Sequence, residues 1–198
     1  MFSSDFVYKQ HTDPTGFTLA HYPSVDSTNW EAERFAKGLT LEELPVLDQG
    51  VVLIADVQTQ GQGSHYRKWV SNPGGLYYSL LMAHPGPDAP LQNDPAWYAK
   101  LASLAVQETC KLPVEHKFPN DLYYGSHKVG GLLLHSFTVL GKPCLTIGVG
   151  INLNQTEFPE EIAGFATSLA KISNQKWRRI DLIRALTQRF NPALSQPQ

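Results

Sequence analysis

The chain has few cysteines and no long apolar run. Cys110 and Cys144 each lie in an apolar stretch, with no CxxC spacing and no nearby histidine cluster. We expect buried, reduced thiols rather than a metal or redox site, because free cysteine is mostly a small core residue. No stretch approaches the roughly 18 apolar residues of a membrane span, and the amino terminus lacks an apolar run of signal-peptide length. These absences predict a soluble, cytoplasmic protein with no membrane partner.

An excess of charge of one sign is also lacking. The net charge of −2 shows no global basic bias of the kind that marks many nucleic-acid-binding proteins, so no nucleic-acid partner is expected. The chain has 198 residues and is 42% hydrophobic, which is enough to bury one sizeable core. No internal repeat or low-complexity linker divides it. The sequence therefore predicts a single domain over residues 1–198.

Hydrophobic periodicity gives a coarse secondary structure. Helices are predicted over 26–36, 97–110 and 177–190, and strands over 50–57, 76–82, 114–118, 131–138 and 145–153. A long polar loop with four glycines spans 58–75, a proline-rich connection spans 84–95, and turns are predicted at 124–126 and 141–143. Strands in runs, flanked by three helices, predict an α+β fold with a mixed, largely antiparallel sheet packed with helices.

The polar loop contains neither a P-loop nor a dinucleotide fingerprint. Gly61 and Gly63 let the backbone approach a ligand closely and present N–H donors to an anion, and Arg67 and Lys68 add positive charge. This combination suits a phosphate group. A solvated basic turn with two permissive glycines is the alternative.

A second polar cluster follows in KFPNDLYYGSHKVGG. Asn120 and Asp121 stand where a strand breaks, and Lys128 returns across a short turn. An amide, a carboxylate and an ammonium group that meet at strand ends could hold an amide-like ligand head, a phosphate and a metal ion. An ordinary Asx-turn at Asn120 and Asp121 is the alternative.

Five ordered segments together resemble the catalytic domain of biotin protein ligases. They are DSTN at 26–29, ADVQTQGQGSHYRKW at 55–69, NPGGLYYSL at 72–80, KFPNDLYYGSHKVGGLL at 117–133, and IGVGINLN at 147–154 with ATSL at 166–169. Each motif alone is common, but the ordered set spans most of the chain and is specific. The resemblance implies the biotin/lipoate ligase fold, which is related to class II aminoacyl-tRNA synthetases.

The resemblance also implies roles for individual residues. The biotin-binding set is Ser27, Thr28, Asn29, Gln58, Gly61, Lys128 and Gly131. The nucleotide-binding set is Gly63, Arg67, Lys68, Trp69, Asn120, Lys128 and Asn152. Lys128 and Asp121 are the expected catalytic residues: Lys128 contacts the biotin carboxylate and the α-phosphate, and Asp121 is needed for activation. No dedicated protein-held metal site is predicted.

The implied reaction uses ATP, Mg²⁺ and biotin. The biotin carboxylate attacks the α-phosphorus of ATP, so positioning and charge neutralisation have to supply most of the acceleration. The product, biotinyl-5'-AMP, then passes biotin to a lysine of a biotin carboxyl carrier protein, such as a subunit of acetyl-CoA carboxylase. A homodimer is compatible with the resemblance.

The part of the polar loop over 61–69, called the glycine-rich loop below, departs from the family pattern. Gln62 and Ser64 occupy two places that usually hold arginine, and Tyr66 stands where glycine is common. Glutamine and serine do not reproduce the rigid bidentate fork of arginine. This departure predicts either a looser hold on the adenylate or a compensating contact.

Two further segments of relatives are not expected. About 25 residues precede Ser27, too few for a helix-turn-helix DNA-binding domain, and the eight residues after Phe190 leave no room for a small carboxyl-terminal β-barrel.

Two rival functions remain. A lipoate ligase or octanoyl transferase shares the fold, but KFPND and KVGG resemble the biotin branch. The missing loop arginines suggest a non-catalytic biotin-binding regulatory module, against which Asn120, Asp121 and Lys128 together favour catalysis.

Overall fold

The computed structural model describes residues 11–12, 18–84 and 93–191. The strands are β1 His11–Thr12, β2 Thr18–Tyr22, β3 Val51–Ala55, β4 Leu76–Ala83, β5 Glu115–Lys117, β6 Asp121–Tyr124, β7 His127–Val139 and β8 Lys142–Ile151. The helices are α1 Thr28–Lys37, α2 Val46–Gln49, α3 Pro95–Cys110, α4 Glu160–Ala163, α5 Leu169–Ser173 and α6 Arg179–Phe190.

All of these strands belong to one sheet, in the order β1-β2-β3-β4-β8-β7-β6-β5. Only β2 and β3 pair in parallel, and every other neighbouring pair is antiparallel. The turns at Gly125 and Gly141 have positive φ angles of 57° and 81°, which glycine adopts without strain, and they join β6 to β7 and β7 to β8. The prediction of a mixed, largely antiparallel sheet packed with helices is confirmed.

Helices cover both faces of the sheet, so its central strands are buried on both sides. In β3, Val52 and Ile54 belong to the core cluster that includes α3 and α6. Val51 and Leu53 point to the other face and pack in the cluster that includes α1. A strand between two layers needs apolar side chains at consecutive positions, which explains the uninterrupted apolar run of this segment.

The two faces of the sheet differ in polarity. The α3 and α6 side is a continuous apolar core. The α1 side is apolar around β3 and becomes polar toward β7 and β6, where the small and charged side chains of the predicted site lie. The functional candidates therefore lie on the α1 face of the sheet.

The three predicted helices and five predicted strands are confirmed, with ends shifted by a few residues. The prediction of only three helices is wrong, because α2, α4 and α5 were missed; they have four or five residues, too few for a helical period. β1, β2 and β6 were also missed; β2 and β6 have five and four residues. Residues 85–92 of the proline-rich connection, the first ten residues and residues 192–198 lie outside the described part. Among the described residues, no helix is long and apolar enough to cross a membrane.

Candidate active site

A pocket opens on the α1 face, between the amino-terminal end of α1, the glycine-rich loop and the β5–β6 turn. The sheet beneath the pocket carries a row of small residues. Ser79 of β4 lies opposite Gly148 of β8, and Gly150 of β8 lies opposite Gly131 of β7. Since facing residues of paired strands point to the same side of a sheet, this row leaves room where larger side chains would fill the pocket.

The two glycines of β8 are required by their neighbours. A Cβ atom at Gly148 would overlap the amide of Asn29, and one at Gly150 would lie 2.5 Å from Trp69 Nε1. Trp69 therefore lies flat against the sheet at the pocket floor. Its buried Nε1 has no hydrogen-bond partner among the described residues. Since this nitrogen is buried against the backbone of Gly150, the rest of the indole ring is the part of Trp69 that lines the pocket.

The end of the pocket next to α1 is lined by neutral hydrogen-bonding groups. The N–H and hydroxyl of Thr28 both donate to Gln58 Oε1, at 2.9 and 3.1 Å. Gln58 Nε2 donates to Ser71 Oγ at 2.9 Å. The Ser79 hydroxyl lies 2.8 Å from Thr28 Oγ1 and 2.6 Å from Asn29 Oδ1. A buried, mutually bonded network of this kind fixes the direction of each donor and acceptor.

Ser27 immediately precedes α1 at the N-cap position and lines the same end of the pocket, and its side chain makes no capping bond to the helix. Its N–H donates to Asp26 Oδ1 at 2.7 Å, and Arg34 donates to both oxygens of Asp26, at 2.6 and 2.9 Å. Burial opposes ionisation of Asp26, but hydrogen bonds from Arg34 and Ser27 hold the pKa of this carboxyl below its usual range. Asp26 thus anchors Ser27 beside the pocket.

The opposite end of the pocket is charged. Lys128 Nζ lies 2.6 Å from Asp121 Oδ1, and the two side chains are 19% and 23% exposed. Gly131 lies opposite Asp121, and a Cβ atom there would lie 3.3 Å from Asp121 Oδ1. Lys128 Nζ also stands 5.5 Å from the centroid of the Trp69 ring. A partly buried ion pair has a desolvation cost, and its position in a cleft favours a functional role.

Backbone pairing holds the strand that carries Lys128. The Lys128 N–H donates to the Phe165 carbonyl at 2.7 Å, and the Thr167 N–H donates to the Lys128 carbonyl at 3.0 Å. The Asn152 N–H donates to the Val129 carbonyl at 2.8 Å. The ATSL segment and the GVGINLN segment therefore meet at Lys128, which explains why segments far apart in sequence contribute to one wall.

The glycine-rich loop folds back on itself. The Gly63 N–H donates to the Arg67 carbonyl at 2.7 Å, and the Trp69 N–H donates to the Gly61 carbonyl at 2.8 Å. Between these bonds, His65 and Tyr66 adopt left-handed conformations, with φ of 57° and 59°. This region is unfavourable for residues with a Cβ atom, and Tyr66 occupies a position where the family usually has glycine.

One side-chain contact ties this loop to the charged end of the pocket. Asn120 Nδ2 donates to Ser64 Oγ at 2.7 Å and to the Leu132 carbonyl at 2.5 Å. Ser64 is one of the two residues that stand in place of an arginine. This contact is a candidate for the compensating contact that the departure from the family pattern left open.

Every residue of the predicted site except Gly61 lines this pocket. Gly61 is buried behind the wall, where a Cβ atom would lie 2.5 Å from Ser71 Oγ and 2.6 Å from the Trp69 carbonyl. Sequence reasoning missed the roles of Ser71, Ser79, Gly148 and Gly150. Small residues inside otherwise apolar strands, as in LYYSLLM and IGVGI, are the signal that could have found the last three. The described residues contain no cluster of three or more His, Cys, Asp or Glu side chains that could hold a metal ion.

The chain belongs to the biotin/lipoate A/B protein ligase family, whose profile matches residues 24–152. It is 31% identical to the bifunctional ligase/repressor BirA of Bacillus subtilis, over 91% of this chain and 55% of that protein. It is 35% identical to the biotin--[acetyl-CoA-carboxylase] ligase of Mycobacterium tuberculosis, over 61% of this chain and 45% of that protein.

A solved structure supports the same grouping. The biotin protein ligase from Aquifex aeolicus in complex with biotin and ATP matches with a TM-score of 0.71 and 35% identity, over 89% of this chain and 69% of that chain. The chain spans about half the length of the curated relatives it matches.

Proposed function

We propose that this chain activates biotin with ATP to biotinyl-5'-AMP and transfers biotin to a specific lysine of a biotin carboxyl carrier protein. Its similarity to ligases whose names specify biotin supports the substrate. The carrier of a carboxylase is the matching acceptor, since one relative is named for acetyl-CoA carboxylase.

The observation that carries this proposal is the polarity of the pocket from end to end. Neutral hydroxyl and amide groups of Ser27, Thr28 and Gln58 line one end, and the Lys128–Asp121 pair lies at the other. Biotin has the same polarity, with a neutral ureido group at one end and a carboxylate at the other. The hydrogen-bonding groups at the end next to α1 discriminate against an acyl chain that lacks polar atoms there.

Lys128 supplies the charge that adenylation needs. Its ammonium group can stand between the biotin carboxylate and the α-phosphate, which lowers the repulsion between two anions that must meet. Asp121 holds this ammonium group in place through the 2.6 Å contact. We assign nucleotide binding to Asn120, Asn152 and the ring of Trp69, which line this pocket, and Arg67 and Lys68 line it as cations for the phosphates.

The donor set of the pocket fits a magnesium ion brought by ATP. Mg²⁺ is usually bound by one or two carboxylates together with substrate phosphates and water, not by an all-protein cage. Asp121 is the only carboxylate among the lining residues of this pocket, which suits this mode of binding. When bound, the ion would neutralise charge on the phosphates that leave as pyrophosphate.

The mixed anhydride must be protected from water until the acceptor lysine attacks it. The glycine-rich loop lies over the charged end and is tied to it by the Ser64–Asn120 contact. In the transfer step, the neutral lysine amine attacks the biotinyl carbonyl, an amide bond forms as the nitrogen releases one proton to solvent, and AMP leaves with the electron pair of the broken acyl–phosphate bond.

Pyrophosphate release with biotin, lipoate or octanoate as the acid tests the proposal. We expect ATP-dependent release with biotin at least tenfold above release with the other two acids. Preference for lipoate or octanoate would identify the rival ligase. Calorimetric binding of biotin without any pyrophosphate release would identify a non-catalytic biotin-binding module.

A further inference from the structure

Three aromatic side chains stand exposed around the mouth of the pocket. Tyr66, Phe118 and Phe165 are 93%, 84% and 50% exposed. They are half of the large hydrophobic side chains that are exposed in the described part of the chain; the others are Leu41, Trp97 and Leu140. Single exposed hydrophobic residues are normal on a protein surface, but several around one opening mark a binding surface.

Their positions relative to the pocket wall follow from the chain. Phe165 is itself a wall residue, Tyr66 lies between the wall residues Ser64 and Arg67, and Phe118 lies two positions before Asn120. The 2.7 Å contact between Ser64 and Asn120 brings the segments of Tyr66 and Phe118 together. These three aromatic residues are called the aromatic rim below.

Tyr66 is held in place at a cost to the backbone. A left-handed conformation costs roughly 1–2 kcal/mol for a residue with a Cβ atom, and Tyr66 adopts it with φ of 59°. The loop itself gains no packing from this side chain, which is almost fully exposed. The tyrosine ring is therefore available for contact with a partner.

Charge divides the rim into two sides. In the described segments on either side of Tyr66 and Phe118, the neighbouring exposed charged residues are the cations Arg67, Lys68 and Lys117 and the carboxylate Glu115. Lys117 pairs with Asp121 in the sheet and so points to the pocket face. On the Phe165 side, α4 carries the exposed Glu160 and Glu161. The side near the glycine-rich loop is thus basic on a chain whose net charge is −2.

We propose that the aromatic rim and its basic side dock the acyl-accepting protein. The acceptor that fits this surface carries acidic side chains beside its target lysine. This inference rests on the proposed function, because only a transfer to a protein brings a macromolecule to this opening. The sheet forms the floor of the pocket, so the lysine has to enter past the rim to reach the Lys128–Asp121 pair. Aromatic residues are frequent energetic centres of such interfaces, and complementary charge speeds encounter.

The experiment separates docking from chemistry. Tyr66→Asn keeps a residue that tolerates the left-handed backbone, and Phe118→Ser removes the second ring. Leu140→Asn is the matched control, because Leu140 is also exposed and left-handed, with φ of 48°, but lies in the β7–β8 turn. For each variant we would measure pyrophosphate release without an acceptor, biotin transfer to hydroxylamine, and biotin transfer to a purified acidic carrier domain of a biotin-dependent carboxylase.

We expect each rim variant to raise the KM for the carrier domain 5- to 20-fold. Pyrophosphate release and transfer to hydroxylamine, which needs no docking, should stay within twofold of the wild type. Leu140→Asn should leave all three unchanged. An unchanged KM for the carrier in both rim variants, or an equal loss in all three assays, would overturn the docking surface.

Charge gives an independent measurement. The KM of the wild-type protein for the carrier domain should rise with salt between about 50 and 300 mM, since exposed charges are screened over this range. Lys117→Glu should raise the KM at low salt and weaken its dependence on salt. A KM that does not respond to salt or to Lys117→Glu would contradict an acidic partner. Absence of biotin-dependent pyrophosphate release from the wild type would instead refute the proposed function.

Discussion

The contact between Ser64 and Asn120 predicts that a serine does part of the work that an arginine does elsewhere in the family. Ser64→Ala removes the oxygen that accepts from Asn120 Nδ2 at 2.7 Å, while the second bond of this amide, to the Leu132 carbonyl, remains. A neutral hydrogen bond contributes about 0.5–1.5 kcal/mol net. If this contact helps to hold the loop closed, its loss should raise the open fraction, and with it the escape of biotinyl-5'-AMP, by about 2- to 12-fold.

Escape is measured as biotin labelling of a lysine-rich bystander protein, with biotin and ATP but without a carrier. Ser64→Thr keeps the hydroxyl and should label close to the wild-type level. Ser126→Ala is the matched control, because Ser126 is an exposed turn residue whose hydroxyl contacts only the neighbouring His127, at 3.3 Å. If Ser64→Ala labels the bystander no more than Ser126→Ala does, the contact does not hold the loop and this reasoning is wrong.

Four other predictions follow from the same site and core. Lys128→Ala or Asp121→Ala should abolish pyrophosphate release while circular dichroism stays unchanged, because each removes a charge at the reacting centre and no core volume; an unchanged yield in either variant would contradict the assigned roles. Trp69→Ala should raise the KM for ATP more than that for biotin, since Lys128 Nζ at the charged end stands 5.5 Å from the centroid of the indole ring; an equal loss would indicate a structural tryptophan. Gln62→Arg combined with Ser64→Arg should lower bystander labelling below that of the wild type, because a well-placed guanidinium adds a charge-assisted bond of about 1.5–3 kcal/mol; equal labelling would mean that His65, Tyr66, Arg67 or Lys68 already provides the hold. Burial, with a contribution from Asp181, raises the pKa of Cys110 to about 12, and burial also raises that of Cys144; an aromatic disulfide reagent at pH 8 should therefore modify neither thiol in the native protein and both in denaturant, and rapid native reaction would contradict their burial.

The elements that could be predicted are those with a clear period or a clear break. The helices α3 and α6 are long enough to show an apolar stripe, and β3, β4 and β8 are apolar runs bounded by turn residues. The sequence does not reveal β2 in the same way, because its five residues, TLAHY, show neither a strict alternation nor a continuous apolar run and are fixed by parallel pairing with β3. Short helices such as α4 depend on tertiary contacts more than on their own periodicity.

The predicted site residues lie together because sheet pairing joins segments that the sequence keeps apart. Lys128 and Asp121 are close in the chain, and the β-hairpin that turns at Gly125 brings their strands side by side. The bond between Ser64 and Asn120 joins residues 56 positions apart, and nothing in either motif specifies it. The sequence does show where the site has room for such contacts. Small residues, Ser79, Gly148 and Gly150, interrupt apolar strands at positions on the pocket side of the sheet. A buried strand gains stability from large apolar side chains. A row of small residues across neighbouring strands therefore implies that something other than core packing limits their size. Here the limit is the space that Asn29, Trp69 and the open pocket occupy above the sheet.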